Sequence, residues 1–370
     1  MREALLWRPA DGTGADSERN GKEAVARRDA PLEENGFTSS ADGAGDAVQC
    51  LLCRQFCRLA PGAWGWCGVR VNQAGVLYTV VDDQVAALNL DPVEKKPLYH
   101  FLPGSLTYSL GTQGCNMRCR FCQNHDLAHG IKQNHIVRGH RANPATLVEG
   151  AQASGAASIS YTYSEPTIFF ELMLPTARLA ADQGLKNIMV SNGYQSRHCL
   201  KALADVIHGV NFDLKAFSNS FYERLCGARL SPVLDTLREA VGMGWWVEIT
   251  TLLIPGENDS PDELQQLAEF IAKDLGKHVP WHLSRYHPAY QLKNPPTPLE
   301  TLEAAARIGK EAGLDYVYVG NIHSPQWSNT HCPACGTTII ARQGYHIQML
   351  GHGLACPACG VKAAGVDGLG

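Results

Sequence analysis

No stretch of this chain is apolar for anything near the roughly 18 residues that a membrane span requires. The opening, MREALLWRPADG, turns polar after seven residues, short of a signal-peptide core. Positive charge is scarce as well. Lys and Arg number 32 against 36 Asp and Glu, for a net charge of −4. Nothing in that balance advertises a nucleic-acid or anionic-membrane partner. Charged residues make up only 18% of the chain and apolar ones 45%, so a sizeable core can be buried. At 370 residues the chain suits one large domain with appendages. It reads as soluble and cytoplasmic.

Thiols are what the chain does have. Thirteen cysteines in a reducing compartment are not a disulfide framework. Eleven fall into three clusters: Cys50/Cys53/Cys57/Cys67, Cys115/Cys119/Cys122 and Cys332/Cys335/Cys356/Cys359. Such spacings are those of metal ligands. Cys199 and Cys226 stand alone, and the ordinary role of a lone cysteine is a small buried apolar residue.

The organisation follows from composition and periodicity. Residues 1–46 form an N-terminal segment in which 13–46, rich in Gly, Ala, Ser and charge, reads as a disordered insertion. Residues 47–104 form a small cysteine-bearing region with a strand pair in GVLYTVVDDQVAAL. Between 105 and 325, β-branched or aromatic runs (105–111, 158–164, 187–192, 210–214, 246–254, 281–286, 316–320) alternate with amphipathic segments (144–154, 166–183, 197–208, 231–243, 261–275, 298–312). That alternation means a parallel α/β sheet, doubly wound or closed into a barrel. Residues 326–370 carry the last cysteine cluster.

Unusual residues follow the strand ends in order. The cysteine triplet follows the first strand, Glu165-Pro166 the second, Asn192-Gly193 the third and Asp213-x-Lys215 the fourth. IPGEND closes the fifth strand and His287-Pro288 follows the sixth. Six successive strand ends suggest one rim, and active sites of (β/α) barrels are built on that rim. The expected fold is a barrel or partial barrel.

In GCNMRCRFCQN, three thiols share one short loop and can converge on one inorganic centre. Three thiolates on a cubic four-iron cluster leave one iron open, and an open iron can bind substrate or cofactor. A zinc site completed by His125 or His129 is the alternative, although C-x3-C-x2-C is poor zinc-knuckle spacing.

The same loop resembles the signature of the radical S-adenosylmethionine superfamily, C-x3-C-x2-C with an aromatic, here Phe121, before the last cysteine. The resemblance implies a partial (β/α)6 TIM-like barrel, a 4Fe-4S cluster on Cys115, Cys119 and Cys122, and S-adenosylmethionine on its open iron. Reductive cleavage would give methionine and a 5′-deoxyadenosyl radical that abstracts hydrogen. By the same resemblance Glu165 of YSEPT would accept a hydrogen bond from the cofactor's ammonium, a sensible partner for that charge. Asn192, Asp213 and Lys215 match positions that contact ribose or carboxylate in the pyruvate formate-lyase activating enzyme group. LLIPGEND and YHP also resemble that group, placing Pro255, Gly256 and His287 near cofactor or substrate. One departure is Tyr163-Ser164, where that family usually has Gly-Gly.

A closer resemblance rests on LDPVEKKPLYHFLPG (90–104), the upstream CLLC…C…GWCGVR and the downstream cysteine ribbon. These resemble the radical enzyme of the AmmeMemoRadiSam system and cover about residues 48–370 together with MREALLW. Members often read Cys-Pro-His-x-Cys where this chain has Cys53-Arg54-Gln55-Phe56-Cys57. The implied partners are Memo-like and AMMECR-like proteins, with an electron donor such as flavodoxin or ferredoxin.

The two flanking clusters read differently. C-P-A-C-G at 332–336 and again at 356–360 is a zinc ribbon. From 326 onward the only Lys or Arg residues are Arg342 and Lys362, too little positive charge for phosphate binding. The ribbon therefore reads as a structural cap or a partner-docking module. Cys50, Cys53, Cys57 and Cys67 suit either zinc or a fully ligated auxiliary iron–sulfur cluster. Three functions stand side by side: a radical enzyme acting on an unidentified protein or small molecule, a glycyl radical enzyme activating enzyme, and a non-enzymatic metal-rich scaffold.

Overall fold

The computed structural model describes residues 1–10, 46–322 and 324–368. The expected disordered insertion, apart from Asp46, lies outside the described residues. Among those described, no helix is long and apolar enough to cross a membrane.

An eight-stranded sheet is the centre of the molecule. Its strands are β1 (Ala87–Pro92), β2 (Leu106–Gly111), β3 (Ser158–Tyr161), β4 (Lys186–Ser191), β5 (Gly209–Asp213), β6 (Trp246–Leu253), β7 (Trp281–Arg285) and β8 (Val317–Gly320). From β2 to β8 each strand pairs in parallel with the next, in chain order. β1 runs antiparallel along β2 and closes that edge. β1 and β8 do not pair, so the sheet is open, as a partial barrel requires. Helices α1 (Pro144–Ala153), α2 (Phe170–Asp182), α3 (Arg197–Leu203), α4 (Leu230–Gly242), α5 (Pro261–Phe270) and α6 (Leu299–Glu311) cross between consecutive strands. Six β/α units followed by β8 are the result, the architecture of the radical S-adenosylmethionine fold.

Local chemistry explains the helix starts. Asn143 accepts from the Thr146 N–H while Thr146 reaches back to the Asn143 N–H, a reciprocal cap in front of Pro144. Ser196 and Ser260 cap α3 and α5 through the N–H groups of Cys199 and Glu263. On α5 the buried residues Leu264, Leu267 and Ala268 recur at helical spacing, so one face packs on the sheet. Each buried leucine there contributes roughly 1.5–3 kcal/mol.

The N-terminal residues return to the body of the protein. Trp7–Pro9 pairs with Val48–Cys50, which pairs in turn with Arg58–Leu59. Arg2–Glu3 pairs with Val76–Thr79, which forms a hairpin with Arg70–Gln73. Its two-residue turn has positive φ at both Ala74 (49°) and Gly75 (84°), the twist that tight hairpins favour. The strand pair expected within GVLYTVVDDQVAAL does not form. Val76–Thr79 pairs backwards, Gln84–Val85 pairs with His140–Arg141, and β1 pairs with β2. VVDD carries no glycine for a tight two-residue turn, whereas the Ala-Gly just upstream does.

This N-terminal layer is seated on the rim. The Arg54 N–H donates to the Tyr194 carbonyl at 3.0 Å, and the Ser196 N–H donates to that of Leu52 at 3.2 Å. Cys50, Cys57 and Cys67 share one apolar core with the barrel. At the C-terminal end, strands β9 (Thr330–His331), β10 (Thr338–Gln343) and β11 (His346–Met349) form a separate antiparallel sheet. Segment 90–104 ties it down. The N–H groups of Tyr99 and His100 donate to the buried Glu248 carboxylate at 2.9 and 2.8 Å. Arg342 in β10 donates to the Tyr99 carbonyl at 2.8 Å.

Candidate active site at the strand ends

The chain leaves β2 through Gly111-Thr-Gln-Gly114 into the cysteine loop. Gly114 has φ +104°, and a Cβ there would meet Val69 at 2.6 Å and the Cys67 carbonyl at 3.0 Å. Both conformation and space demand glycine. Cys119 is buried, and Cys115 and Cys122 are half-buried.

Two of the expected residues join this loop, Asn192 directly and Glu165 through it. The Asn192 side-chain amide donates to Asn116 Oδ1 at 2.7 Å and lies 3.7 Å from Cys115 Sγ. Its own N–H donates to Glu165 Oε2 at 2.9 Å. Glu165, only 2% exposed, accepts at Oε1 from the Ser191 hydroxyl (2.9 Å) and from both the N–H (3.1 Å) and hydroxyl (2.5 Å) of Thr167. Burial nevertheless raises its pKa, because those bonds only partly replace water. Oε2 accepts one bond where a carboxylate oxygen can accept two, which leaves a lone pair for a cation.

Asp213 and Lys215 form a 2.9 Å ion pair at the end of β5. Burial opposes the Lys215 charge, yet Asp213 and Cys119 hold it protonated well above the ordinary range. Lys215 also lies 5.8 Å over the Phe121 ring. The loop after β6 is knit to it: Asn258 donates to the Lys215 carbonyl at 2.6 Å, and Asn294 donates to that of Pro255 at 2.9 Å. His287 is exposed, and no hydrogen bond or ion pair among the described residues involves it. Its loop reaches the site through Tyr290, which stacks on His125 and His129 at 4.9 and 5.3 Å between ring centroids.

Three contributors carried no signal of spacing. Cys226 beside Cys119, with Lys215 assisting against burial, lowers the pKa of the Cys119 thiol to about 7. Burial instead pushes Cys115 to about 12 and Cys122 to about 11. Lys132 donates to the Met117 carbonyl at 2.7 Å. Gln55 donates to the carbonyls of Asn116 (2.9 Å) and Gly227 (3.0 Å), so this chain's departure at 54–56 braces the cysteine loop.

The other departure keeps its shape. Tyr163 takes φ +67°, a conformation that glycine adopts freely. Its ring is held by Lys96, 4.6 Å above it, and its hydroxyl donates to Asp91 at 2.6 Å. Asn124 of the cysteine loop donates to its carbonyl at 2.8 Å.

The ribbon cysteines lie apart from this rim. Their four Sγ atoms fall within 4.8 Å of one another, a set that can hold one tetrahedral ion. The two knuckles repeat the same bonds: Cys332 N–H to Thr337 O and Gly336 N–H to Cys332 O, then Cys356 N–H to Val361 O and Gly360 N–H to Cys356 O. Gly336 and Gly360 take φ +76° and +74° with open space around each, so the turn alone demands glycine there. Among the described residues no other group of three or more His, Cys, Asp or Glu ligand atoms is that close. His125 and His129, the alternative fourth ligands, stack on Tyr290.

Residues 109–271 match the sequence profile described as the Radical SAM superfamily. An uncharacterized protein of Methanocaldococcus jannaschii is 40% identical over 319 residues, 85% of this chain and 94% of that protein. The pyruvate formate-lyase 1-activating enzyme of Escherichia coli is 26% identical over 179 residues, 47% of this chain and 72% of the enzyme. A solved domain of pyruvate-formate lyase-activating enzyme from Bacteroides vulgatus superposes with a TM-score of 0.40 at 18% identity, over 45% of this chain and 100% of that domain.

Proposed function

Because the chain belongs to the radical SAM superfamily of enzymes, we propose that Cys115, Cys119 and Cys122 ligate a 4Fe-4S cluster whose open iron binds S-adenosylmethionine. The donor set fits such a group: three thiols on one short loop, the number that leaves one iron open. When bound, the cluster supplies the electron that splits S-adenosylmethionine into methionine and a 5′-deoxyadenosyl radical, which takes hydrogen from a protein or small-molecule substrate.

The chain's own residues position and exclude. Glu165 receives the cofactor's ammonium at Oε2, a charge-assisted bond in a dry site. Asn192 links that carboxylate to the cysteine loop. Asp213 and Lys215 face ribose or carboxylate, and His287 stands at the outer edge. The observation that carries the reading is the continuous run Glu165–Asn192–Asn116 beside Cys115. Zinc occupies the ribbon on Cys332, Cys335, Cys356 and Cys359. The electron comes from a reduced flavodoxin- or ferredoxin-class donor in the cytoplasm, where thiols stay reduced.

Similarity to the activating enzyme from Escherichia coli favours a second reading of the substrate, a glycine on a glycyl radical enzyme. The segment at 90–104 favours the first, with Memo-like and AMMECR-like partners. The test is anaerobic: reduce the loaded protein with S-adenosylmethionine and quantify 5′-deoxyadenosine. The expected result is formation that disappears in Cys119→Ala. Full formation in Cys119→Ala sinks the ligand assignment.

A further inference from the structure

The N-terminal and ribbon cysteines are both sets of four thiols, but their spacing differs. In the ribbon, Cys332 Sγ lies 3.6 Å from Cys359 Sγ, and Cys335 Sγ lies 3.6 Å from Cys356 Sγ. Zinc–sulfur bonds of about 2.3 Å set tetrahedral thiolates about 3.8 Å apart. The ribbon is thus drawn to the size of one ion. Cys50, Cys53, Cys57 and Cys67 are not: no three of their sulfur atoms come within 4.8 Å of one another. The same is true of Cys115, Cys119 and Cys122.

The four N-terminal thiols instead line one pocket, with Ile168 and Arg70 beside them. Backbone bonds fix their loops. The Cys50 N–H donates to the Cys57 carbonyl at 2.9 Å, the Phe56 N–H to that of Cys53 at 3.1 Å, and the Gly68 N–H to that of Gly65 at 2.9 Å. Donors already point at sulfur: the Trp66 N–H at Cys57 Sγ and the Arg70 guanidinium at Cys50 Sγ, both 3.5 Å. Such donors to sulfur tune an iron–sulfur centre. Arg70 is 1% exposed and held by Glu171 and the Leu5 carbonyl, so its positive charge cannot swing away.

We propose that Cys50, Cys53, Cys57 and Cys67 hold a second iron–sulfur cluster of the four-iron type, and not a zinc ion. With four thiolates no iron is left open, so this centre binds no S-adenosylmethionine. It lies against the cysteine loop of the rim. The Cys67 carbonyl faces Gly114, the residue before Cys115. Lys132 stands half-buried between the two groups, its side chain against Gly68 and its ammonium on the Met117 carbonyl.

The experiment is a metal count on protein purified anaerobically, without reconstitution, from cells supplied with both iron and zinc. In the Cys115→Ala/Cys119→Ala/Cys122→Ala variant, which lacks the other iron site, we expect about four iron, four acid-labile sulfide and one zinc per chain. The reduced variant should also give the paramagnetic signal of a four-iron cluster. About two zinc and no iron in that variant overturns the proposal. Should the variant not fold, the intact chain decides: one zinc with about eight iron supports the second cluster, and two zinc with about four iron overturns it. In the triple variant the zinc count settles this whatever the Cys115 loop proves to bind; in the intact chain, 5′-deoxyadenosine formation assigns a single set of four iron to that loop.

Discussion

The side-chain amide of Asn192 donates to Asn116 Oδ1 across 2.7 Å, so the end of β4 and the loop after β2 form one hydrogen-bonded unit. Asn192→Ala removes that donor and leaves the buried Asn116 carbonyl unpaired, at a cost of roughly 1–3 kcal/mol. Iron content should hold while S-adenosylmethionine binding, measured by calorimetry, weakens about tenfold. Unchanged affinity would remove Asn192 from the site.

Glu165→Gln keeps the size and most acceptors but loses the charge. A hydrogen bond to a charged group is worth roughly 1.5–3 kcal/mol, so the dissociation constant for S-adenosylmethionine should rise about 10- to 100-fold. The electronic spectrum of the cluster is the control, and it should not change. A variant that binds the cofactor normally would assign Glu165 to bracing Thr167 and Ser191 alone.

Gly114→Ala tests the join between the N-terminal layer and the rim. The new methyl meets Val69 and the Cys67 carbonyl, and φ +104° is itself unfavourable for alanine. The expected loss is roughly 1–3 kcal/mol of stability from backbone strain alone, read as a lower denaturation midpoint. Gly336→Ala is the comparison. It shares the positive φ but has open space, so it should lose less.

His100 sets an acid limit on the joint between barrel and ribbon. Its Nδ1–H donates to the Ala364 carbonyl at 2.7 Å, and its Nε2 accepts from the Tyr318 hydroxyl at 2.6 Å. Burial pushes its pKa down to about 4, whereas an unfolded histidine titrates near about 6.5. Between these values the unfolded chain takes a proton that the folded chain refuses. The contribution is therefore full above about pH 6.5 and is lost as pH falls toward about 4, by roughly 3 kcal/mol in all. Denaturation midpoints of wild type and His100→Gln should converge as pH drops from about 7 to about 5. A constant gap would acquit His100.

Much of this was legible in the sequence. The seven apolar runs became β2 to β8 and the six amphipathic segments became α1 to α6, because parallel strands covered on both faces read as continuous apolar runs and the helices that cover them as stripes of period 3.6. Glu165, Asn192, Asp213 and Lys215 were legible because they follow strand ends. Lys132, Gln55 and Cys226 were not. They reach the cysteine loop through tertiary contacts between segments far apart in the chain, which leave no spacing to read. The strand pair expected at 75–88 failed because alternation marks a strand and not its partner. Tyr163 hid a glycine-like conformation behind an aromatic side chain.

The antiparallel pair of Trp7–Pro9 with Val48–Cys50 is extended by the Ala10 N–H, which donates to the Ala47 carbonyl at 2.8 Å. The two ends of the stretch between them are thus pinned side by side, whatever its length. Closing such a loop costs more only as the logarithm of its length, about 0.6 kcal/mol for each doubling. A purification tag or a reporter spliced between Ala10 and Ala47 should thus leave the two strands that flank it in register.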